Sequence, residues 1–82
     1  MNKKKFLRKL LSGSKNVRFN DMIIMVKAFG FTFSRQQGSH QIYVHPDIPE
    51  LINLQNVNGQ VKPYQIRQFL KLIERYDLTM ED

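Results

Sequence analysis

Residues 31 to 45 decide the fold: Phe31-Thr32-Phe33-Ser34-Arg35, then Gln36-Gln37-Gly38, then Ser39-His40-Gln41-Ile42-Tyr43-Val44-His45. Apolar and polar residues alternate on both sides of the central triplet, as they do in half-buried strands. Gln36-Gln37-Gly38 supplies the turn, so the stretch is expected to form a hairpin. In its second strand Ile42 and Val44 share one face, Gln41 and Tyr43 the other, and the Ile42 face is expected to meet the core. Pro46 and Pro49 cannot continue a central strand, because proline has no N–H for the ladder. Leu51 to Gln55 reads as a third short strand, and Asn56-Val57-Asn58-Gly59 as a loop.

Helical patterns flank the strands. Asn20 is an expected N-cap, with Phe19 and Ile24 placed to form a hydrophobic staple. Asp21 falls in the first turn, where a negative charge suits the helix dipole. Met22, Ile23, Val26 and Phe29 make an apolar stripe and Gly30 a C-terminal stop, so a helix is expected at about 20–29. Upstream, Phe6, Leu7, Leu10 and Leu11 recur at helical spacing among basic residues until Ser12-Gly13-Ser14 ends the run. Downstream, Pro63 suits a first helical turn, and Ile66, Phe69, Leu70, Ile73 and Tyr76 follow at the spacing of a buried face. Arg67, Lys71 and Arg75 line the opposite side four residues apart. Like charges at that spacing repel by a few tenths of a kcal/mol per pair, roughly. This stripe either faces an anion or is a solvated face, eased by Glu74 and by the placement of Arg75 near the negative end of the helix.

Consecutive strands on short links are antiparallel neighbours. The expected fold is therefore α+β: a three-stranded antiparallel sheet in α-β-β-β-α order, with two helices on one face, the other face open, and a short basic N-terminal helix in front. This resembles the double-stranded-RNA-binding domain (dsRBD) in architecture. The boundaries expected are a basic arm at 1–18, a folded domain at 19–77 and a C-terminal tail at 78–82.

At 82 residues the chain allows one domain and leaves no room for a large cofactor pocket. Hydrophobic residues make up 41% and charged residues 24%, which argues against disorder. Six Phe among the aromatics point to a core built around rings. The chain lacks cysteine, so a Cys-based zinc site is excluded and an intracellular, cytoplasmic location is expected. No apolar run approaches the roughly 20 residues that span a membrane. The N-terminal apolar stretch is broken by Arg8 and Lys9 and is not expected to be a signal peptide.

The net charge of +6 is distributed unevenly. Residues 1–18, with Lys3, Lys4, Lys5, Arg8, Lys9, Lys15 and Arg18, carry +7, and residues 19–82 carry −1. Such a patch suits a polyanion or an acidic protein partner, or is a basic arm that aids solubility.

The candidate chemistry sits in Arg35 to Tyr43. Gly38 permits positive φ or close approach of backbone to a ligand. Ser39 adds a hydroxyl and an amide, and His40 a titratable imidazole. Arg35 is placed to anchor a phosphate across the turn, and together these residues suit phosphate-ester chemistry. His40 shares strand parity with Ile42 and Val44, which an exposed role does not fit. A bulge after Gly38 or a place at the sheet rim would relieve this.

Gly38-Ser39-His40-x-x-Tyr43, His45-Pro46, Asn53-Leu54-Gln55, Lys62-Pro63-Tyr64-Gln65-Ile66 and Phe29-Gly30-Phe31 together resemble the HicA family of bacterial toxins, small ribonucleases with a dsRBD-like fold. The resemblance covers about residues 19–76. Many members begin close to the helix expected at 20–29, so the basic arm departs from the family pattern. The resemblance implies an endoribonuclease (mRNA interferase) whose catalytic residue is His40, messenger RNA as substrate and a HicB-like antitoxin as partner. His45 is read as a strand-end or loop residue. RNA contacts are expected from Arg35, Gly38, Ser39 and Lys62, and from Lys3, Lys4, Lys5, Arg8 and Lys9 of the arm. No metal, small-molecule cofactor or membrane is expected to take part. The competing readings are a non-catalytic RNA-binding module and a basic protein-interaction domain.

Overall fold

A computed structural model describes residues 1–80. The elements are α1 (Lys3–Leu11), α2 (Phe19–Ala28), β1 (Thr32–Gln37), β2 (His40–Val44), β3 (Ile52–Gln55) and α3 (Pro63–Tyr76). The strands form one antiparallel sheet in the order β1-β2-β3. The α+β class and the α-β-β-β-α order match those expected from the sequence. Of the tail expected at 78–82, residues 81 and 82 lie outside the described residues. Leu78 folds back, its N–H bonded to the Ile73 carbonyl, and packs with Met80 against the core.

One apolar cluster joins Met22, Met25 and Val26 of α2, Tyr43 of β2, Ile52 and Leu54 of β3, and Ile66, Phe69 and Leu72 of α3. Aromatic rings organise its centre. Phe69 meets Phe29 edge-on at 5.5 Å and Phe31 at 6.3 Å. Leu10 of α1 and Val17 belong to the same cluster, so the basic arm is docked through its apolar side.

Four expectations are corrected here. The start of α2 is not capped by Asn20: the N-cap is Arg18, with no side-chain cap bond. Tertiary pairing sets that boundary instead. Arg18 bridges Gln60, and the Phe19 N–H reaches the Gly59 carbonyl at 2.8 Å. Phe19 is buried and Ile24 is exposed, so they form no staple.

The first strand is not half-buried. Every residue of β1 is exposed, including Phe33 at 49%. β1 is an edge strand that runs past the helices, and only the preceding Phe31 reaches the core.

The core face of β2 is that of Tyr43, not that of Ile42 and Val44. Tyr43 pairs with Ile52 and Gln41 with Leu54, and both β3 partners are core residues. Residues opposite each other on antiparallel strands share a face. Ile42 and His40 therefore lie on the face away from the helices, although Ile42 is itself buried. The large ring of Tyr43 claims the helix side, and its hydroxyl donates to Gln41 Oε1 at 2.8 Å. Burial raises the Tyr43 pKa above its ordinary value.

Candidate functional site

The β1–β2 link is a two-residue turn, Gly38-Ser39, rather than the Gln36-Gln37-Gly38 triplet. Gly38 has φ +61° while Ser39 is not in the left-handed region, the arrangement of a turn with glycine in its first central position. A side chain at Gly38 would have room but would be strained at that φ. The Gly38 and Ser39 backbone N–H groups have no hydrogen-bond partner among the described residues. Two free amides thus stand at the tip of the hairpin beside the first residue of β2, His40.

His40 is half-buried. It pairs with Gln37 on one side and Gln55 on the other. Its Nδ1 lies 2.8 Å from Oδ1 of Asn53, a diagonal neighbour on the same face. Nε2 has no hydrogen-bond partner among the described residues. The strand segments Thr32–Gln37, His40–Val44 and Ile52–Gln55 contain no Asp or Glu. His40 is therefore oriented by a neutral amide on a carboxylate-free sheet, and its parity is resolved by the open face.

A bulge does occur, but between Phe33 and Arg35 rather than after Gly38. In a regular strand these two residues would share a face. The extra residue, Ser34, lets Phe33 stand opposite Tyr43, with ring centroids 5.8 Å apart, while Arg35 stands opposite Ile42. Arg35 thereby joins the face of His40. It is exposed, and its Nη1 makes only a 3.4 Å contact with Ser34 Oγ.

Ser39 Oγ accepts a bond from Gln55 Nε2 at 3.2 Å, and the Ser39 carbonyl accepts the Asn56 N–H at 3.1 Å. Lys62 is the N-cap residue of α3. Its N–H points to Oε1 of the buried Gln65, which also accepts the Gln55 N–H. Lys62 is thus tied through Gln65 to the strand residue paired with His40. Lys3, Lys4, Lys5, Arg8 and Lys9 lie on α1. His45 sits just past β2, where its Nδ1 accepts the Asp47 N–H and its ring meets Phe31 edge-on at 5.1 Å. It is a loop residue, as expected.

On α3, Arg67 and Lys71 are exposed without an acidic partner among the described residues. Arg75 is paired with Glu50 at 2.7 Å rather than eased by Glu74. Glu50 also accepts the Tyr76 hydroxyl at 2.6 Å. That hydrogen bond, then the Arg75 guanidinium, holds the Glu50 carboxyl below its ordinary pKa, and the same contact raises that of Tyr76. Among the described residues no three of His, Cys, Asp and Glu gather to hold a metal ion, and no helix is long and apolar enough to cross a membrane.

Asn53, Gln55 and Gln65 belong to the motifs that carry the family resemblance, but sequence reasoning gave them no role at the site. The available signal was parity in β3, where polar Asn53 stands between apolar Ile52 and Leu54. It becomes readable once the core face of β2 is known.

Chemically, this end of the sheet offers a nitrogen base with one free atom, two free amides and a hydroxyl, with the Arg35 guanidinium on the face of His40. Residues 19–74 match the model of a family described as HicA toxin of bacterial toxin-antitoxin. No curated protein and no solved structure matches the chain.

Proposed function

Since the chain belongs to the HicA toxin family, a toxin component of bacterial toxin–antitoxin systems, we propose that it is a metal-independent endoribonuclease that cleaves messenger RNA with His40. The observation that carries this reading is the setting of His40. It stands on the open face at the hairpin tip, Nδ1 engaged and Nε2 free, beside unpartnered amides.

RNA brings its own nucleophile, the 2′-hydroxyl. Neutral His40 takes that proton at Nε2 as O2′ attacks phosphorus, and the bond from phosphorus to O5′ breaks. The proton then returns to the leaving 5′-oxygen from the imidazolium or from water. A 2′,3′-cyclic phosphate and a 5′-hydroxyl remain. In this reading the Gly38 and Ser39 amides and Arg35 stabilise charge on the phosphoryl oxygens, and Ser39 and Lys62 bind the chain around it. The arm residues Lys3, Lys4, Lys5, Arg8 and Lys9 add long-range attraction for the anionic RNA backbone. The place of action is the cytoplasm, where messenger RNA is found, and the partner is a HicB-like antitoxin.

His40→Ala tests the reading. The variant is expected to keep its circular dichroism spectrum and to lose RNA cleavage and growth arrest, by roughly the 10²–10⁴-fold that a positioned base contributes. A folded variant that still cleaves RNA would remove His40 from the mechanism. RNA binding without cleavage by the wild type would favour a non-catalytic RNA-binding module.

A further inference from the structure

We propose that Asn53 is a positioning residue that fixes His40 in the tautomer with the proton on Nδ1, leaving the lone pair on Nε2. The proposal deepens the nuclease reading and rests on it only for its catalytic consequence.

A neutral imidazole carries one proton, and the hydrogen bond made by one ring nitrogen decides which atom holds it. At His40 that bond runs from Nδ1 to Asn53 Oδ1, at 2.8 Å. A carbonyl oxygen only accepts, so Nδ1 must donate. Free imidazole side chains favour the proton on Nε2, so the Nδ1–H form is one that the protein has to impose. β2 and β3 impose it together. His40 pairs with Gln55, which puts Asn53 on the adjacent diagonal of the same face. Asn53 is held between Ile52 and Leu54, both buried, so its backbone cannot rotate away without unpacking the core.

Neutral partnership suits the task. A carboxylate at this position would bind the imidazolium more strongly and hold the proton that the cycle has to release. An amide orients the ring without that penalty. Arg35 is the charged side chain that the sheet adds to this face, and the strands hold no acid to offset it.

The test is nitrogen-15 NMR of the His40 ring in the full chain, at a pH where the ring is neutral and with no RNA present. Wild type is expected to show protonated Nδ1 and unprotonated Nε2. Asn53→Ala should move the proton toward Nε2, and Asn53→Asp should retain it on Nδ1. In cleavage assays Asn53→Ala should lower kcat about 10- to 100-fold, part of what a positioned base contributes, with a smaller change in KM. Asn53→Asp should recover part of that kcat. A wild-type ring protonated at Nε2 would mean that the amide presents its NH₂ group, and would overturn the proposal. So would an Asn53→Ala ring with an unchanged tautomer. If Asn53→Ala is unfolded by circular dichroism, the wild-type and Asn53→Asp spectra still decide. The ring spectra need no activity, so a failure of the nuclease reading leaves them standing and is recognised separately by the His40→Ala assay.

Discussion

Gln65 Oε1 accepts the backbone N–H of Gln55 at 3.2 Å, tying the first turn of α3 to the last residue of β3. Gln65 is only 1% exposed and is the one polar side chain in the buried set of the described residues. Its oxygen also faces the Lys62 N–H at 3.4 Å. Buried amide donors left without a partner cost about 1–3 kcal/mol.

Gln65→Leu should therefore lower unfolding stability by about 1–3 kcal/mol, read from a urea midpoint at constant slope. Because Gln55 pairs with His40, the variant should also loosen the rim, seen as faster amide exchange at Gln55. An unchanged midpoint would mean that water replaces the glutamine oxygen.

The basic arm calls for charge variants rather than truncation, since Leu10 and Val17 are core residues and deleting them would open a cavity. Replacing Lys3, Lys4, Lys5, Arg8 and Lys9 by Gln should preserve the fold and flatten the salt dependence of RNA binding. Each lost phosphate contact should reduce the slope of log K against log salt by about 0.7 for a single strand. A slope that does not change would assign the arm to a partner other than RNA.

A HicB-like antitoxin that acts by occlusion should slow hydrogen exchange at Gly38 to Tyr43 and at Lys62 to Gln65. The Gly38 and Ser39 amides are sensitive reporters, because they have no internal partner among the described residues to protect them in the free toxin. Protection confined to α1 would indicate that inhibition works through the arm, by tethering or by competition with RNA.

The Glu50, Tyr76 and Arg75 cluster ties stability to pH at both ends. The folded-state pKa of Glu50 lies below its ordinary 4.5, so its contribution is present above that value and is lost as pH falls through the folded-state pKa. Tyr76 is raised above 10.0, so its share is present below that value and is lost as pH rises through the folded-state pKa. Thermal midpoints of wild type and Glu50→Gln should differ most between these limits and converge in acid. Parallel curves down to low pH would show that the cluster contributes nothing.

Much of the fold was legible because local signals agreed with it. Pro63 and the Ile66, Phe69 spacing marked α3, and Gly30, at φ +95°, stopped α2. The errors arose where tertiary contacts outweigh local pattern. The start of α2 is set by Gly59 and Gln60, forty residues away along the chain. The face of β2 is set by β3, since Ile42 and Tyr43 are both apolar enough for a core and alternation alone does not choose between them. Gly38, Ser39 and His40 stood out as a local group, but the catalytic role expected of His40 came from the family resemblance rather than from these residues alone. Asn53 did not stand out, because its role depends on a cross-strand register that no local window contains.

The backbone pairing of residues 17–19 with 59–61 has a consequence for the timing of maturation. The Val61 N–H binds the Val17 carbonyl at 3.0 Å, and the Phe19 N–H binds Gly59. This clasp closes a loop of roughly forty residues, an entropic cost met only when both ends exist. A ribosome delivers the hairpin bearing His40 well before it delivers Val61 and α3. The chemical groups are thus synthesised early, and the scaffold that holds them in place is completed only near the end of translation. A fragment ending before Gly59 would contain the hairpin but lack the partner carbonyl and amide of this clasp.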